Sequence, residues 1–496
     1  MLALKSENVI HLGGQGEDRA FLRERMDKPQ RHRLLHGYPL AAALRHREVA
    51  GKHEELVFHP KAGRKLLVGV LPHPFCNPAV TGCGFCTFPH EAYNASRSAA
   101  VVEGVNHEIA QRLRIEPGLR GRKVWGLYFG GGTANLTPAH SFRQLCQTLR
   151  SAFDLSQAEV TLEGVPAYFL KRKPLLVDIL RDELPARLYR LSMGIQTFDE
   201  EQLRRMGRQA FGTTATFADV VALGHRLGFS VSADLLFNLP NQTLEQMKSD
   251  LSQATTIGLD HVGLYHLVLF AGLGTAWSRQ PDLLAGLPSN EEACERWLVL
   301  RDMLLSGGFY QTSLTNFERQ EFRHSPNRFQ YEENSFQPDL YEMLGFGPSA
   351  ISCAATPAFD SALKTLNPTS AEGYLKAVAG HVTPWERYFR YGRRDLRVFY
   401  LTRRLAALEI NRDNYHKLFG IDPMEDFQQE FLALEEEGLI AATPAAIRPT
   451  PRGIFYADSI AALFALRQSR QLRSLLPMHN DEDATQRLNS NGHGHM

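Results

Sequence analysis

The sequence predicts an α/β protein built on a partial barrel of six βα units, with an N-terminal extension and a helical, winged-helix-like C-terminal domain. Three observations carry this. Short runs rich in Val, Leu, Ile and Phe, most bounded by Gly or Pro, alternate with helical patterns from residue 65 to residue 270. The alternation stops near Ala354, after which the chain reads as helices and a short hairpin. The length of 496 residues suits a barrel plus an accessory domain and exceeds a single ordinary domain. The expected divisions are an extension at 1–62, the barrel at 63–354, a lid-like domain at 355–477 and a polar tail at 478–496.

The expected strands are 65–71, 124–129, 159–163, 188–196, 230–237 and 261–270. Near-continuous apolar runs of this kind suit strands buried on both faces of a parallel sheet. Between them the pattern predicts helices at 101–113, 141–153, 173–180, 200–206, 217–227 and 244–257. Six strands rather than eight imply a barrel open on one side, with ligand-bearing residues at the carboxyl ends of the strands. In the C-terminal part, Phe427, Phe431 and Leu434 share a helical face and 439–452 is turn-rich. The Gly-, Asn- and His-rich tail, with His493 and His495, reads as solvated.

A formal net charge of +1 argues against nucleic acid or an acidic membrane surface as partner. The basic run at 23–33 is offset by acids and reads as a solvated face. The opening MLALKSENVIHLGG lacks the features of a secretory signal, and the longest apolar stretch, 261–277, is short of a membrane span. Six cysteines in a chain of this size do not make a disulfide framework. Cys146, Cys294 and Cys353 are scattered and read as packed thiols. A reducing, cytoplasmic setting is expected, and a monomer.

The other three cysteines, Cys76, Cys83 and Cys86, crowd into eleven residues with spacing C-x6-C-x2-C, directly after the first strand. Thiolates are the ligands of iron–sulfur clusters, and the intervening Gly and Pro let the loop wrap a compact cubane. Three thiols leave one iron without a protein ligand, an open position where chemistry can occur. Zinc is the alternative, with His73 or His90 as a fourth ligand.

Strand, Pro74-Phe75-Cys76, then Cys83-Gly84-Phe85-Cys86, then Gly130-Gly131-Gly132-Thr133 after the second strand: this order resembles the radical S-adenosylmethionine (SAM) superfamily. The branch it is most similar to is that of oxygen-independent coproporphyrinogen III oxidase. The resemblance runs for nearly three hundred residues. It implies a [4Fe–4S] cluster on Cys76, Cys83 and Cys86, reductive cleavage of SAM to a 5′-deoxyadenosyl radical, and a flavodoxin- or ferredoxin-type electron donor. It implies that Gly131, Gly132, Thr133, Glu163 and Ile351 (in Leu344-Gly-Phe-Gly-Pro-Ser-Ala-Ile) hold the SAM bound to the cluster. Gln196, Arg208 and Asp234, with Phe85 packing beside them, match positions belonging largely to a second SAM. The residues alone allow another reading, in which Arg208 and Asp234 form an internal ion pair tying a helix to a strand.

The chain departs from the family pattern in four places. Six residues rather than three separate the first two cysteines, Val70 replaces a Tyr, Ala134 replaces a Pro, and Tyr265-His266 replaces a Tyr-Ala-like pair. The resemblance leaves the reaction open among carbon transfer from a second SAM (methyl transfer or cyclopropane formation on a small molecule), oxidative decarboxylation of a porphyrinogen, haem-ring opening, and haem carriage. Carriage is disfavoured because Glu333-Asn334-Ser-Phe-Gln-Pro stands where the chaperone-like members have a His-Asn-x-x-Tyr-Trp segment. A ferredoxin role is disfavoured by size and the missing fourth cysteine. The Arg-rich stretch at 387–397 keeps binding of substrate carboxylates in view.

Overall fold

The computed structural model describes residues 15–474 except 32–34, 36, 41–42, 48–57, 59–62, 78–82, 172 and 381–382. The tail at 478–496, with His493 and His495, and most of the extension at 1–62 lie outside the described residues.

Six parallel strands run in sequence order across the sheet: β1 (Lys65–Val70), β2 (Val124–Phe129), β3 (Glu159–Gly164), β4 (Leu188–Gln196), β5 (Ser230–Phe237) and β6 (His261–His266). The sixth ends at His266, four residues short of expectation, and an irregular segment follows. Antiparallel strands β7 (Phe309–Gln311) and β8 (Asn316–Arg319) extend the sheet beyond β6. At the other edge β9 (Tyr341–Phe346) adds a seventh parallel strand against β1. It is followed by an antiparallel meander of β10 (Ile351–Ala355), β11 (Ala362–Leu366) and β12 (Arg387–Tyr391). Among the described residues the sheet stays open rather than closing on itself. Because β11 and β12 belong to it, the sheet continues past 354, where the alternation of βα units ends.

Helices α1 (Ala95–Ile115), α2 (Ala139–Ala152), α3 (Leu176–Glu183), α4 (Glu200–Arg205), α5 (Thr214–Arg226) and α6 (Leu244–Thr256) connect the strands. Their starts are written locally. Asn94, Asp199, Thr213 and Thr243 each accept a backbone N–H of the first turn, Thr243 in a full capping box with Gln246, and such caps contribute about 1 kcal/mol each. Their apolar faces bury Val101, Val105, Phe142, Leu145, Val177, Phe217 and Met247 against the strands.

The barrel interior is polar. Alternate residues point inward, which places Glu159 and Glu163 of β3, Arg190 and Gly194 of β4, Asp234 of β5 and His261 and Tyr265 of β6 on one surface. A short helix, α8 (Tyr331–Ser335, after α7 at Asn290–Ser306), fills part of it. The Tyr331 ring lies 5.2 Å from that of Tyr128, Glu159 accepts the Gln330 N–H at 2.7 Å, and Glu332 accepts from Asn316.

The C-terminal part contains helices Arg393–Ala406, Gln428–Glu436 and Ala457–Ser474 and a small three-stranded sheet of 410–411, 446–449 and 440–442. The helix Gln15–Met26 packs on the second and third of these helices. Arg19 and Arg23 reach Glu437, and Arg25 pairs with the buried Asp458. The basic run is therefore partly a docking face rather than wholly solvated. The physical reason lies in Glu437 and Asp458, over four hundred residues away. No helix among the described residues is long and apolar enough to cross a membrane.

Candidate functional site: the carboxyl ends of the barrel strands

The chain leaves β1 into Pro74-Phe75-Cys76. Residues 75–76 pair with 91–92 in a two-stranded ladder, so the cysteine loop is pinned at both ends. The Cys86 N–H donates to the Cys83 carbonyl at 2.8 Å, a tight turn that brings these thiols to one side. The Trp277 N–H donates to the Gly84 carbonyl at 2.8 Å, and its indole meets the Phe85 ring edge-on at 5.7 Å. Phe85 thereby joins an apolar patch with Met206, Leu236, Leu239 and Leu267.

Gly132 lies backbone to backbone against this loop: a Cβ there would stand 2.8 Å from the Phe75 oxygen, which only glycine tolerates. Next to it, the Thr133 hydroxyl donates to the Cys76 sulfur at 3.4 Å. Gly131, at φ +110°, packs on Leu71 at the end of β1. Arg208 donates to the Cys83 sulfur at 2.7 Å and to the Gly194 carbonyl. Bare backbone at Gly194 leaves room for both neighbours, since a Cβ would meet Gln196 Nε2 at 3.0 Å and Arg208 Nη2 at 3.2 Å. Gln196 itself sits at φ +75°, a conformation uncommon for a non-glycine residue.

Burial pushes the Cys76 thiol up to about 11, against the pull of the Thr133 hydrogen bond, and pushes Cys86 up as well. Cys76 also senses the other two cysteines. Among the described residues no three His, Cys, Asp or Glu side chains already converge closely enough to hold an ion. The donor set nevertheless fits the cluster that the resemblance implies. Three thiols lie on one short loop, and a hydroxyl and a guanidinium donate hydrogen bonds to two of the sulfurs. Of the histidines of the zinc alternative, His73 is buried and accepts the Phe75 N–H through Nδ1 at 3.3 Å, and His90 Nδ1 pairs with the Phe88 carbonyl at 2.9 Å.

Deeper in, Glu163 accepts the Tyr128 hydroxyl at 3.1 Å. Burial, reinforced by Asp234, pushes its carboxyl up to about 7. Burial also lifts Asp234 to about 6, while Arg190 and Arg208 pull it down. Arg208 and Asp234 interact through space but form no ion pair among the described residues, so the internal tie read from the sequence is not what the structure contains. Ile351 stands apart from the rest. It opens β10 with its side chain 44% exposed, connected to the site through Gly347, which packs on Leu71.

Sequence reading missed Tyr128, Arg190, Trp277 and Glu332. Arg190 carries a signal: in Leu-Tyr-Arg-Leu-Ser-Met-Gly-Ile-Gln the polar or small residues 190, 192, 194 and 196 recur with period two and mark the inward face. Its guanidinium lies 3.8 Å over the Phe329 ring, with two of its nitrogens buried without hydrogen-bond partners. Trp277 and Glu332 carry no local signal, since they reach the site only through folding of distant segments. The substituted pair divides: Tyr265 lies beside Asp234, whereas His266 turns towards Asn238, Phe237 and Phe455.

No protein-family model matches the chain. It is 28% identical over 278 residues to a heme chaperone HemW of Lactococcus lactis, covering 56% of this chain and 67% of that protein. It is 33% identical over 222 residues to anaerobilin synthase of Escherichia coli O157:H7, spanning 44% of this chain but 47% of that protein's length. It is 24% identical over 410 residues to oxygen-independent coproporphyrinogen III oxidase of Synechocystis, covering 79% and 83% of the two chains. Among solved structures, coproporphyrinogen III oxidase (HemN) of Escherichia coli, described as a radical SAM enzyme, superposes with a TM-score of 0.69 at 21% identity. The match covers 86% of this chain and 96% of that one. Relatives named as the resemblance expects, together with a fold shared over 86% of this chain, make it similar to the HemN-like branch of the radical SAM family.

Proposed function

We propose that this chain is a radical SAM enzyme that binds a [4Fe–4S] cluster on Cys76, Cys83 and Cys86 and two SAM molecules, the second donating carbon to a small-molecule acceptor by methyl transfer or cyclopropane formation. One SAM lies at the cluster beside Gly131, Gly132, Thr133, Glu163 and Ile351. The other is held by Gln196, Arg208 and Asp234 with Phe85 packed on it. The observation that carries the second site is the state of Arg208 and Asp234. Arg208, in the segment after α4, and Asp234, on the inward face of β5, are both largely out of water and do not pair with each other. Burying unpaired charges is costly. A zwitterionic ligand with a carboxylate for the one and an ammonium or hydroxyl for the other offsets that cost.

When bound, the cluster and its SAM supply the one-electron chemistry, with the electron arriving from a flavodoxin- or ferredoxin-type donor. The chain's own residues bind, orient and exclude water. Thr133 and Arg208 hydrogen-bond two of the sulfurs. Glu163, poised near neutrality beside Tyr128, gains charge when an ammonium approaches and loses it when the ammonium leaves. Phe85, Trp277 and Leu236 form an apolar wall that keeps water from the radical step. The enzyme works as a monomer.

Relatives named for coproporphyrinogen oxidation and haem carriage supply the rival readings. Decarboxylation would use arginines for substrate carboxylates, but within 387–397 Arg394 and Arg397 both bind Asp426, at 2.8 and 3.0 Å. Those two are spent inside the fold. In the segment at 333–338 that stands in place of the chaperones' His-Asn-x-x-Tyr-Trp, Asn334 and Phe336 are buried. The test incubates cluster-loaded protein, reductant and methyl-labelled SAM with candidate acceptors and with coproporphyrinogen III in parallel, alongside a haem titration. Label in a product, with 5′-deoxyadenosine and S-adenosylhomocysteine formed, supports carbon transfer. Carbon dioxide from coproporphyrinogen III without label transfer, or tight haem binding without SAM cleavage, overturns it.

A further inference from the structure

Helix α1 carries one acid on its buried face. Glu108 is 5% exposed, and three donors from three separate segments converge on it. Its Oε2 accepts the Gly347 N–H at 2.8 Å and the Tyr374 hydroxyl at 2.6 Å, and its Oε1 accepts the Asn367 amide at 2.9 Å. Gly347 lies in the turn after β9, Asn367 just after β11, and Tyr374 on α9 (Ala371–Ala379). The Asn367 amide also donates to the Gly347 carbonyl at 3.0 Å, so the same turn is gripped through both its N–H and its C=O. Further along, the Ser349 N–H donates to Pro368 O and the Asn367 N–H to Ala350 O, both at 2.9 Å. Ile351 follows immediately.

This clamp has a direct path to the site. Gly347, at φ +99°, is pressed so closely on the end of β1 that a Cβ would stand 2.0 Å from the Leu71 carbonyl oxygen. The Leu71 N–H in turn donates to Phe346 O at 2.9 Å. The other side of Leu71 is covered by Gly131, whose Cβ position lies 3.4 Å from it. Leu71 is thus caught between the glycine turn and the 345–351 turn, five residues before Cys76.

We propose that Glu108 is a positioning residue for the first SAM: by clamping Gly347 it sets the height of the 345–351 turn and, through Leu71, of the Gly131–Thr133 turn. The inference rests on the reading that these turns hold SAM. The position requires a carboxylate. All three partners are donors, and a carboxylate is acceptor-only with capacity for all of them. Glutamine of the same size turns its NH₂ group either to the Asn367 amide, another donor, or to the Tyr374 hydroxyl, leaving the Gly347 N–H without its acceptor, so at least one buried donor is unsatisfied. Burial pushes the Glu108 carboxyl up to about 7 even though the three donors pull it down, so loss of a donor weakens the clamp further.

The test uses full-length, anaerobically cluster-loaded protein as wild type, Glu108→Gln and Tyr374→Phe, with radiolabelled SAM in equilibrium dialysis. Iron content and thermal midpoint are measured on the same samples. Tyr374→Phe removes one donor and only the hydroxyl oxygen from the core, so it decides the matter if the glutamine variant does not fold. First-site affinity is expected to fall about tenfold for Glu108→Gln and about threefold for Tyr374→Phe. Iron per chain stays unchanged, and KM for SAM rises while kcat holds. Folded, iron-loaded variants that bind SAM as wild type does overturn the inference, as does an affinity loss that only tracks lost iron. Wild-type protein that holds iron but binds no SAM overturns the functional reading and this inference with it, which separates the two failures.

Discussion

Replacing Arg208 with alanine removes a buried guanidinium that donates to the Cys83 sulfur at 2.7 Å and to the Gly194 carbonyl. It also removes one of the two cations that hold the Asp234 carboxyl down to about 6 against the upward push of burial. In the variant Asp234 shifts further up, is more protonated at neutral pH, and is a poorer partner for a ligand ammonium. Breaking a buried charge pair outright costs about 3–5 kcal/mol. Here Arg208 and Asp234 are not in direct contact and Arg190 remains, so about 2–3 kcal/mol is the appropriate range. That is about 30- to 150-fold in affinity for the second SAM. The first SAM, which leans on Glu163 and Thr133, should weaken less than about threefold by the same conversion. Arg208→Lys should fall between, because an ammonium keeps the charge but lacks the fork that reaches two acceptors together. The assay is binding of labelled SAM to cluster-loaded protein, with stoichiometry counted against iron. One SAM per loaded wild-type chain, or equal weakening at both sites, refutes the reasoning.

Two further outcomes are expected. Cys76→Ala, Cys83→Ala or Cys86→Ala should each abolish the [4Fe–4S] absorbance and iron content after anaerobic reconstitution. The same change at Cys146, Cys294 or Cys353, whose thiols burial pushes up, should leave iron unchanged, and iron surviving loss of Cys76 would show the ligand assignment to be wrong. Burial also raises the carboxyls of Glu163, Glu318 and Glu332 to about 7 and Asp234 to about 6. The folded chain thus binds these protons more tightly than the unfolded one. The resulting stabilisation is full below the unfolded values near 4 and is lost as pH rises through 6 to 7. The thermal midpoint of the metal-free protein should therefore fall between pH 5 and pH 8, and Glu318→Gln should flatten part of the slope; a midpoint that rises across this range contradicts it.

The six parallel strands were legible because each is a short apolar run between breakers, and their burial on both faces needs no partner of particular identity. The helix starts at 200 and 244 were legible for the same local reason, Asp199 and Thr243 capping the turns that immediately follow them, whereas the helices expected from 217 and 101 begin earlier, at 214 and 95. The cysteine spacing and the glycine turn were legible because a ligand loop and a close backbone approach both leave marks within a few residues. The sequence by itself thus determined the class of fold and the clustering of Cys76, Cys83 and Cys86, and its family resemblance nominated Glu163, Gln196, Arg208 and Asp234 as candidate ligands. Relations between residues far apart in the chain were left to the tertiary structure. Only the fold showed that Arg208 reaches Cys83 rather than pairing with Asp234, that Trp277 closes over Phe85, and that Arg394 and Arg397 are consumed by Asp426. Only the fold brought Glu108, Gly347, Asn367 and Tyr374 into one clamp. Local pattern reports what each segment can bury, whereas the choice of partner for a buried charge depends on which segments the sheet order sets side by side.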